Sequence, residues 1–204
     1  IQLTNEGIRF LVHAKAILQL CARAKEEFSP DVFRGSLTIG AAETICIHRL
    51  PKILNEYRRL YPLVQLQVLT ESCDTFIELI KINQIDLALV LTDTIKSNEM
   101  LARTLYAESM VVVSSPQAPL ARRREIGPTD LADECLIITL PGCGYRPAIL
   151  SMLNNCNVKP RSFMELSSVG AMKEFISCGL GVAFLPRVSV QTELAMGKLK
   201  ELAW

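Results

Sequence analysis

Residues 85–91 (IDLALVL) form an apolar run whose one charge is Asp86, and a strand of that composition needs cover on both faces. The segments before it supply the neighbours. Residues 36–40 (SLTIG) read as a strand and residues 45–61 as a helix carrying Leu50, Ile53, Leu54 and Tyr57 on one face. Pro51 either kinks that helix or begins its main part. Residues 64–70 read as a second strand and 75–81 as a short helix. A βαβαβ succession of this kind dictates a mainly parallel sheet with right-handed crossovers, and such sheets hold ligands beyond the carboxyl ends of their strands.

Strands are expected at 101–106 and 109–114, followed by a loop over 116–128, and then the alternation resumes. Residues 136–139, 162–165 and 182–185 read as strands, and 145–155 and 169–178 as helices, up to Pro186. The fold class is therefore α/β, with two Rossmann-like subdomains around a hinge and a cleft. The first is drawn over residues 35–112, with 187–204 as a candidate addition, and the second over 113–186. The duplication concerns architecture, since no sequence repeat accompanies it.

A long helix precedes both. Thr4 is a suitable N-cap, Asn5 and Glu6 fit the first turn, and nothing in residues 8–28 breaks a helix until Ser29-Pro30. Phe10, Ala14, Ile17, Cys21, Ala24 and Phe28 recur at alternating spacings of four and three, the seam of a coiled-coil-like dimerisation surface. The other reading is an amphipathic helix docked on its own domain. Residues 1–30 are thus expected as a separate helical element, and a chain opening at Ile1 rather than Met is expected to be a segment of something longer.

The 22 basic and 21 acidic residues leave a formal net charge of +1, so no domain-wide basic field exists to attract nucleic acid. The run Arg122-Arg123-Arg124 lies between Pro119 and Pro128 and suits a solvated loop. Seven scattered cysteines without a CxxC pair, with only His13 and His48 to join them, do not make a zinc site. They fit reduced thiols in a cytoplasmic chain. No apolar run approaches the roughly 20 residues of a membrane span, and no signal peptide is present. There is no GxSxG, HExxH or P-loop, and His48 has no nucleophile motif to serve. Neither an enzyme nor a bound metal or cofactor is expected.

Binding residues are sought at strand ends. Ala42, Glu43 and Thr44 follow the first strand, where backbone N–H groups and the Thr44 hydroxyl can receive an anion. The Glu43 carboxylate opposes that unless it turns away or meets a cation, and a plain cap is the competing reading. Ser72, Cys73 and Thr75 follow the second strand, with Asp74 a candidate N-cap. Thr92 and Asp93 stand after the third strand, at a ligand contact or a simple hinge. Gly142, Cys143, Gly144, Tyr145 and Arg146 form the most informative loop, because the glycines permit close backbone approach beside an aromatic face and a fixed cation. A carboxylate suits it; the alternative is a glycine turn with a solvated arginine. Ser167, Ser168 and Val169 either complete this lining or cap the next helix.

Several segments resemble the LysR-type transcriptional regulators. IQLTNEG and the alanine-containing helix after it look like the end of the family's wing and its linker helix. GSLTIGAAETICIHRLPKILNEYRRLYPLVQL resembles the family's first strand and helix, including Leu50-Pro51 and Tyr61-Pro62. Asn83-Gln84-Ile85-Asp86 stands where the family has a related turn before IDLALVL, and SSVGAMKEFISCGLGVAFLP is similar to its last helix-to-strand segment, with Gly179-Leu180-Gly181 and Leu185-Pro186. The matches run in order over nearly the whole chain.

The resemblance implies a periplasmic-binding-protein-like pair of regulatory subdomains behind a dimerising linker helix, assembled as a homodimer or homotetramer. It points to positions 42–44 for effector contact. It also implies that DNA is contacted only through a helix-turn-helix domain missing from this chain, that RNA polymerase is a candidate partner of the full-length regulator, and that a final strand and helix follow LKELAW. One alternative within the family is a thiol-based sensor using Cys143, which lies where peroxide-sensing relatives carry their reactive cysteine and near enough to Arg146 in sequence for its pKa to be lowered. Cys156 lies farther along than the resolving cysteine of those relatives. A solute-binding protein shares the two-lobed architecture, but the seam helix has no purpose there and free thiols suit the periplasm poorly.

Overall fold

The computed structural model describes residues 3–27, 33–93, 95 and 100–204. The chain divides into two compact units, Ile1–Val90 and Leu91–Trp204. The first opens with α1 (Asn5–Glu27), whose start is fixed as expected: the Thr4 hydroxyl accepts from the Gly7 N–H at 3.0 Å. Phe10 is 70% exposed and Ile17 57%, Cys21 is exposed and Ala14 half-buried. The described part of the seam is therefore mostly exposed. Leu11 and Leu18 are exposed too and stand seven residues apart, so the apolar surface is wider than the seam read from the spacing. Phe28 and the Ser29-Pro30 stop, like the side chain of Ala24, lie outside the described residues.

The first unit continues with β1 (Gly35–Ala41), α2 (Glu43–His48), α3 (Leu50–Leu60), β2 (Val64–Leu69), α4 (Cys73–Lys81) and β3 (Leu87–Leu89). Pro51 separates α2 from α3, beginning the main helix rather than kinking it. The sheet is parallel, in the order β2-β1-β3, with Gly35 opposite Val64 and Gly40 opposite Leu69. Ile39, Ala41, Ile45, Leu50, Phe76 and Ile85 form its buried centre. Gly40 is the floor beneath Phe76: a Cβ there would lie 2.5 Å from the ring. The third strand is shorter than the apolar run suggests; just before it the Asp86 carboxylate receives the Thr38 N–H at 2.7 Å, while the Asp86 N–H donates to the Thr38 carbonyl at 2.9 Å.

The second unit contains β4 (Met110–Ser114), two 3-10 turns at Pro119–Arg122 and Pro128–Leu131, β5 (Cys135–Thr139), α5 (Arg146–Asn155), β6 (Ser162–Leu166), α6 (Val169–Ser177), β7 (Ala183–Pro186), α7 (Arg187–Ala195) and β8 (Lys200–Leu202). β4 pairs antiparallel with β7 and β8, and β5 pairs parallel with β6. A bridge between Leu136 and Val182 brings β5 beside the β7 segment. Strand alternation sorts the core onto two faces. Val112, Leu136, Ile138 and Phe184 pack with Ile149 and Leu153 of α5, whereas Val111, Val113, Ile137, Ala183 and Leu185 pack with Met172 and Ile176 of α6.

The two compact units divide between Val90 and Leu91, and the ladder of β4 with β7 and β8 joins residues 110–114 to residues 183–186 and 200–202 within the second. Residues 101–106 are not a strand: no element includes them, and Leu101 is fully exposed. Among the described residues no helix is long and apolar enough to cross a membrane. All seven cysteines are free thiols.

Candidate functional site

In the first unit, the register of β1 with β2 brings two strand ends side by side, so residues 42–44 and 72–75 are neighbours through the sheet. Ala42 is the N-cap of α2, and its N–H donates to the Leu89 carbonyl at 3.0 Å, tying in the end of β3. Glu43 opens α2 and Thr44 is buried. Ser72 caps α4: its Oγ accepts from the Thr75 N–H at 3.1 Å and lies 2.8 Å from the Thr75 hydroxyl. Asp74 is consequently a first-turn residue rather than the cap. The Cys46 Sγ spans the two strand ends, 3.4 Å from the Ala41 carbonyl and 3.5 Å from the Thr70 hydroxyl. Cys73 is half-buried in the first turn of α4.

In the second unit, residues 142–146 and 168–169 gather at the carboxyl ends of β5 and β6, which run in register from Cys135 opposite Ser162 to Thr139 opposite Leu166. Gly142 has φ +90°, a conformation that an L side chain resists. Cys143 is half-buried; its N–H donates to the Leu140 carbonyl at 3.4 Å and its carbonyl accepts from the Arg146 N–H at 3.3 Å. Gly144 packs against the strand-exit segment so closely that a Cβ would stand 2.3 Å from the Leu91 carbonyl and 3.0 Å from the Thr92 Cβ. Thr92 therefore joins the loop. Ser168 caps α6 by accepting from the Ala171 N–H at 3.3 Å, and Val169 is buried behind it.

Tyr145 and Arg146 do not behave as their residue types suggest. Tyr145 packs against the α5-side core. The Arg146 guanidinium is neither solvated nor open: it donates to the Thr139 carbonyl and to the Glu165 carboxylate, with the side chain 15% exposed. Two residues escaped the sequence reading. Glu165 was absorbed into a strand, and Thr139, a hydroxyl closing the apolar run CLIIT, is buried with no hydrogen-bond partner for its Oγ1 among the described residues. Alternation puts Thr139 on the Ile137 face, the one covered by α6.

The groups whose pKa is clearly displaced lie elsewhere. On α3 a hydrogen bond from Arg59 holds the Glu56 carboxyl below the usual range and raises Arg59 in return, both fully exposed. Among the described residues no cluster of three or more His, Cys, Asp or Glu is placed to hold a metal ion.

Residues 30–204 match a protein-family model described as the LysR substrate binding domain. Over 209 aligned residues the chain is 29% identical to the HTH-type transcriptional regulator YwqM of Bacillus subtilis, covering 99% of this chain and 69% of that protein. The effector binding domain of QuiR in complex with shikimate superposes with a TM-score of 0.73 at 22% identity, covering 84% of this chain and 81% of that one. The regulatory domain of Synechocystis PCC6803 CcmR in complex with 2-PG gives 0.73 at 24% identity, covering 83% and 80%. Each of these structures has the α/β two-subdomain fold expected from the sequence. By the family match over most of its length, this chain belongs to the LysR substrate-binding domain family of transcriptional regulators.

Proposed function

We propose that the chain is the effector-sensing and oligomerising region of a DNA-binding regulator, and that its effector is a small anionic metabolite. The proposed ligand contacts are strand-end residues, taken unit by unit: Ala42, Glu43, Thr44, Ser72, Cys73 and Thr75 in the first, and Thr92, Gly142–Arg146, Ser168 and Val169 in the second. The observation that carries this is the Thr139 hydroxyl. A buried polar group left unsatisfied costs about 1–3 kcal/mol, and this one lies at the carboxyl end of β5, three residues before Gly142, where a ligand oxygen reaching the strand end would satisfy it.

The two structural neighbours support the ligand class, since one is a complex with shikimate and the other with 2-PG. Switching requires that the effector bind one conformational state better than another. Self-association through α1 gives the regulator its homodimer or homotetramer, and DNA contact belongs to a helix-turn-helix domain elsewhere in the regulator. Isothermal calorimetry with small organic acids, shikimate among them, tests the reading. Saturable heat that Thr139→Val abolishes is expected; a bound acid indifferent to Thr139→Val and to changes at residues 142–146 would overturn the placement.

Thiol sensing through Cys143 fits less well. The intact α5 between Cys143 and Cys156 has 10 residues and rises about 15 Å, whereas a disulfide needs Cα atoms within roughly 7 Å. The helix would have to unwind.

A further inference from the structure

We propose that Glu165 is an internal counter-ion that masks Arg146, so that the strand end of the second unit takes up an oxyanion only by displacing Glu165 from the guanidinium. The inference rests on reading this strand end as an effector site and adds what decides which effectors enter.

Arg146 is the first residue of α5, and its guanidinium is divided between two acceptors of unlike character. The Thr139 carbonyl belongs to the end of a strand whose last four residues are buried, and it cannot move without breaking the ladder. The Glu165 carboxylate can move. It extends from β6, which among the described residues pairs with β5 alone and so forms an edge, and its side chain is 41% exposed. Alternation along β6 sends Met164 and Leu166 into the α6-side core and leaves Phe163 and Glu165 on the opposite, α5 side, beside Arg146.

A guanidinium fork presents five N–H donors matched to a planar carboxylate. Arg146 is thus a receptor already engaged by the protein's own carboxylate, through one bond from Nη2 to the Glu165 Oε1. A half-buried cation is costly without a partner, and the Glu165 carboxylate supplies one. An entering oxyanion must do better than Glu165, which is tethered at high local concentration. Weakly held anions such as chloride are excluded, and ligands that engage further groups of the loop are admitted. The ligand class that follows is a bidentate oxyanion, carboxylate or phosphate, carried on a body with additional polar groups.

The test uses sulfate as the probe. Thermal midpoints are measured for the wild type, Glu165→Gln, Glu165→Asp and Arg146→Gln/Glu165→Gln as sulfate replaces chloride at constant ionic strength. Sulfate stabilises every variant in a non-saturating way by exclusion from the surface. Beyond that common rise, Glu165→Gln should show a saturable stabilisation with a midpoint concentration about tenfold or more below any seen in the wild type. Glu165→Asp, whose shorter carboxylate leaves the fork, should respond in the same direction and keeps the test valid if the amide variant folds poorly. The double variant should lose the response. Single variants that superimpose on the wild type, or a double variant that keeps the saturable phase, would overturn the proposal. The two readings fail differently. An organic acid binding wild type and Glu165→Gln with equal affinity refutes the masking and leaves effector binding intact. Sulfate capture by Glu165→Gln in a chain indifferent to every organic acid does the reverse.

Discussion

Replacing Gly144 by alanine tests whether the loop of residues 142–146 is held against the strand exit as the structure requires. The added Cβ would lie 2.3 Å from the Leu91 carbonyl oxygen, 3.1 Å from its carbon and 3.0 Å from the Thr92 Cβ. The nearest obstacle is backbone, so no side-chain rotation relieves it; the loop must retreat by about 1 Å to restore ordinary van der Waals separation. Overpacking of this kind costs about 1–3 kcal/mol, and a backbone partner places this case at about 2–3 kcal/mol. With a urea m-value of about 2 kcal/mol per molar, the unfolding midpoint should fall by about 1 M. The assay is selective because the single tryptophan, Trp204, belongs to the second unit and packs edge-on against Phe184 with ring centroids 5.1 Å apart. Its fluorescence follows the affected unit. Gly127→Ala is the control: nothing lies within 4 Å of its Cβ position and its φ is −130°, so it should be neutral or slightly stabilising. A Gly144→Ala midpoint equal to that of the wild type would refute the close packing of the loop on residues 91–92 and, with it, the placement of Thr92 at the site.

Phe10→Glu with Ile17→Glu should make the chain monomeric in sedimentation velocity, since each side chain buried in a helix pair contributes about 1.5–3 kcal/mol. The self-association constant should weaken at least about a hundredfold, and an unchanged sedimentation profile would remove the seam from the interface. Mild peroxide followed by mass spectrometry should leave no Cys143–Cys156 bridge, because α5 separates the two thiols; quantitative bridging would revive the redox reading. Glu56, held below the usual carboxylate range by Arg59, favours the folded state at neutral pH, and that contribution is lost as the pH falls through its folded-state value. Because the pair is fully exposed and screened, Glu56→Gln should leave the thermal midpoint at pH 7 unchanged within error, and a drop of several degrees would contradict this.

The parallel sheet of the first unit was readable because apolar alternation and strand-to-helix order are local signals, and β1, β2 and α4 fall within a few residues of their expected places. IDLALVL was over-read: an apolar run reports burial, not pairing, and the Asp86 carboxylate takes the Thr38 N–H just before the strand. α7 and β8 lie beyond Pro186, where the expected elements stop; Pro186 ends β7 and is at once the N-cap of α7. Residues 101–106 (LARTLY) mix apolar and polar side chains, but composition cannot supply a hydrogen-bonding neighbour. At the site, the glycines announced a tight loop correctly. Tyr145 and Arg146 drew attention by type, yet their side chains are spent on the core and on Glu165, and Thr139 was overlooked because a threonine at the end of an apolar strand reads as ordinary. What a side chain touches is set by the tertiary partner, which spacing along the chain does not reveal.

The most direct test is an amide-resolved NMR titration of the chain with an organic acid that calorimetry shows to bind. Saturable shifts are expected to concentrate at residues 139–146 and 168–169, together with Thr92. Saturable binding whose shifts gather elsewhere, with these residues unmoved, would contradict the proposed site.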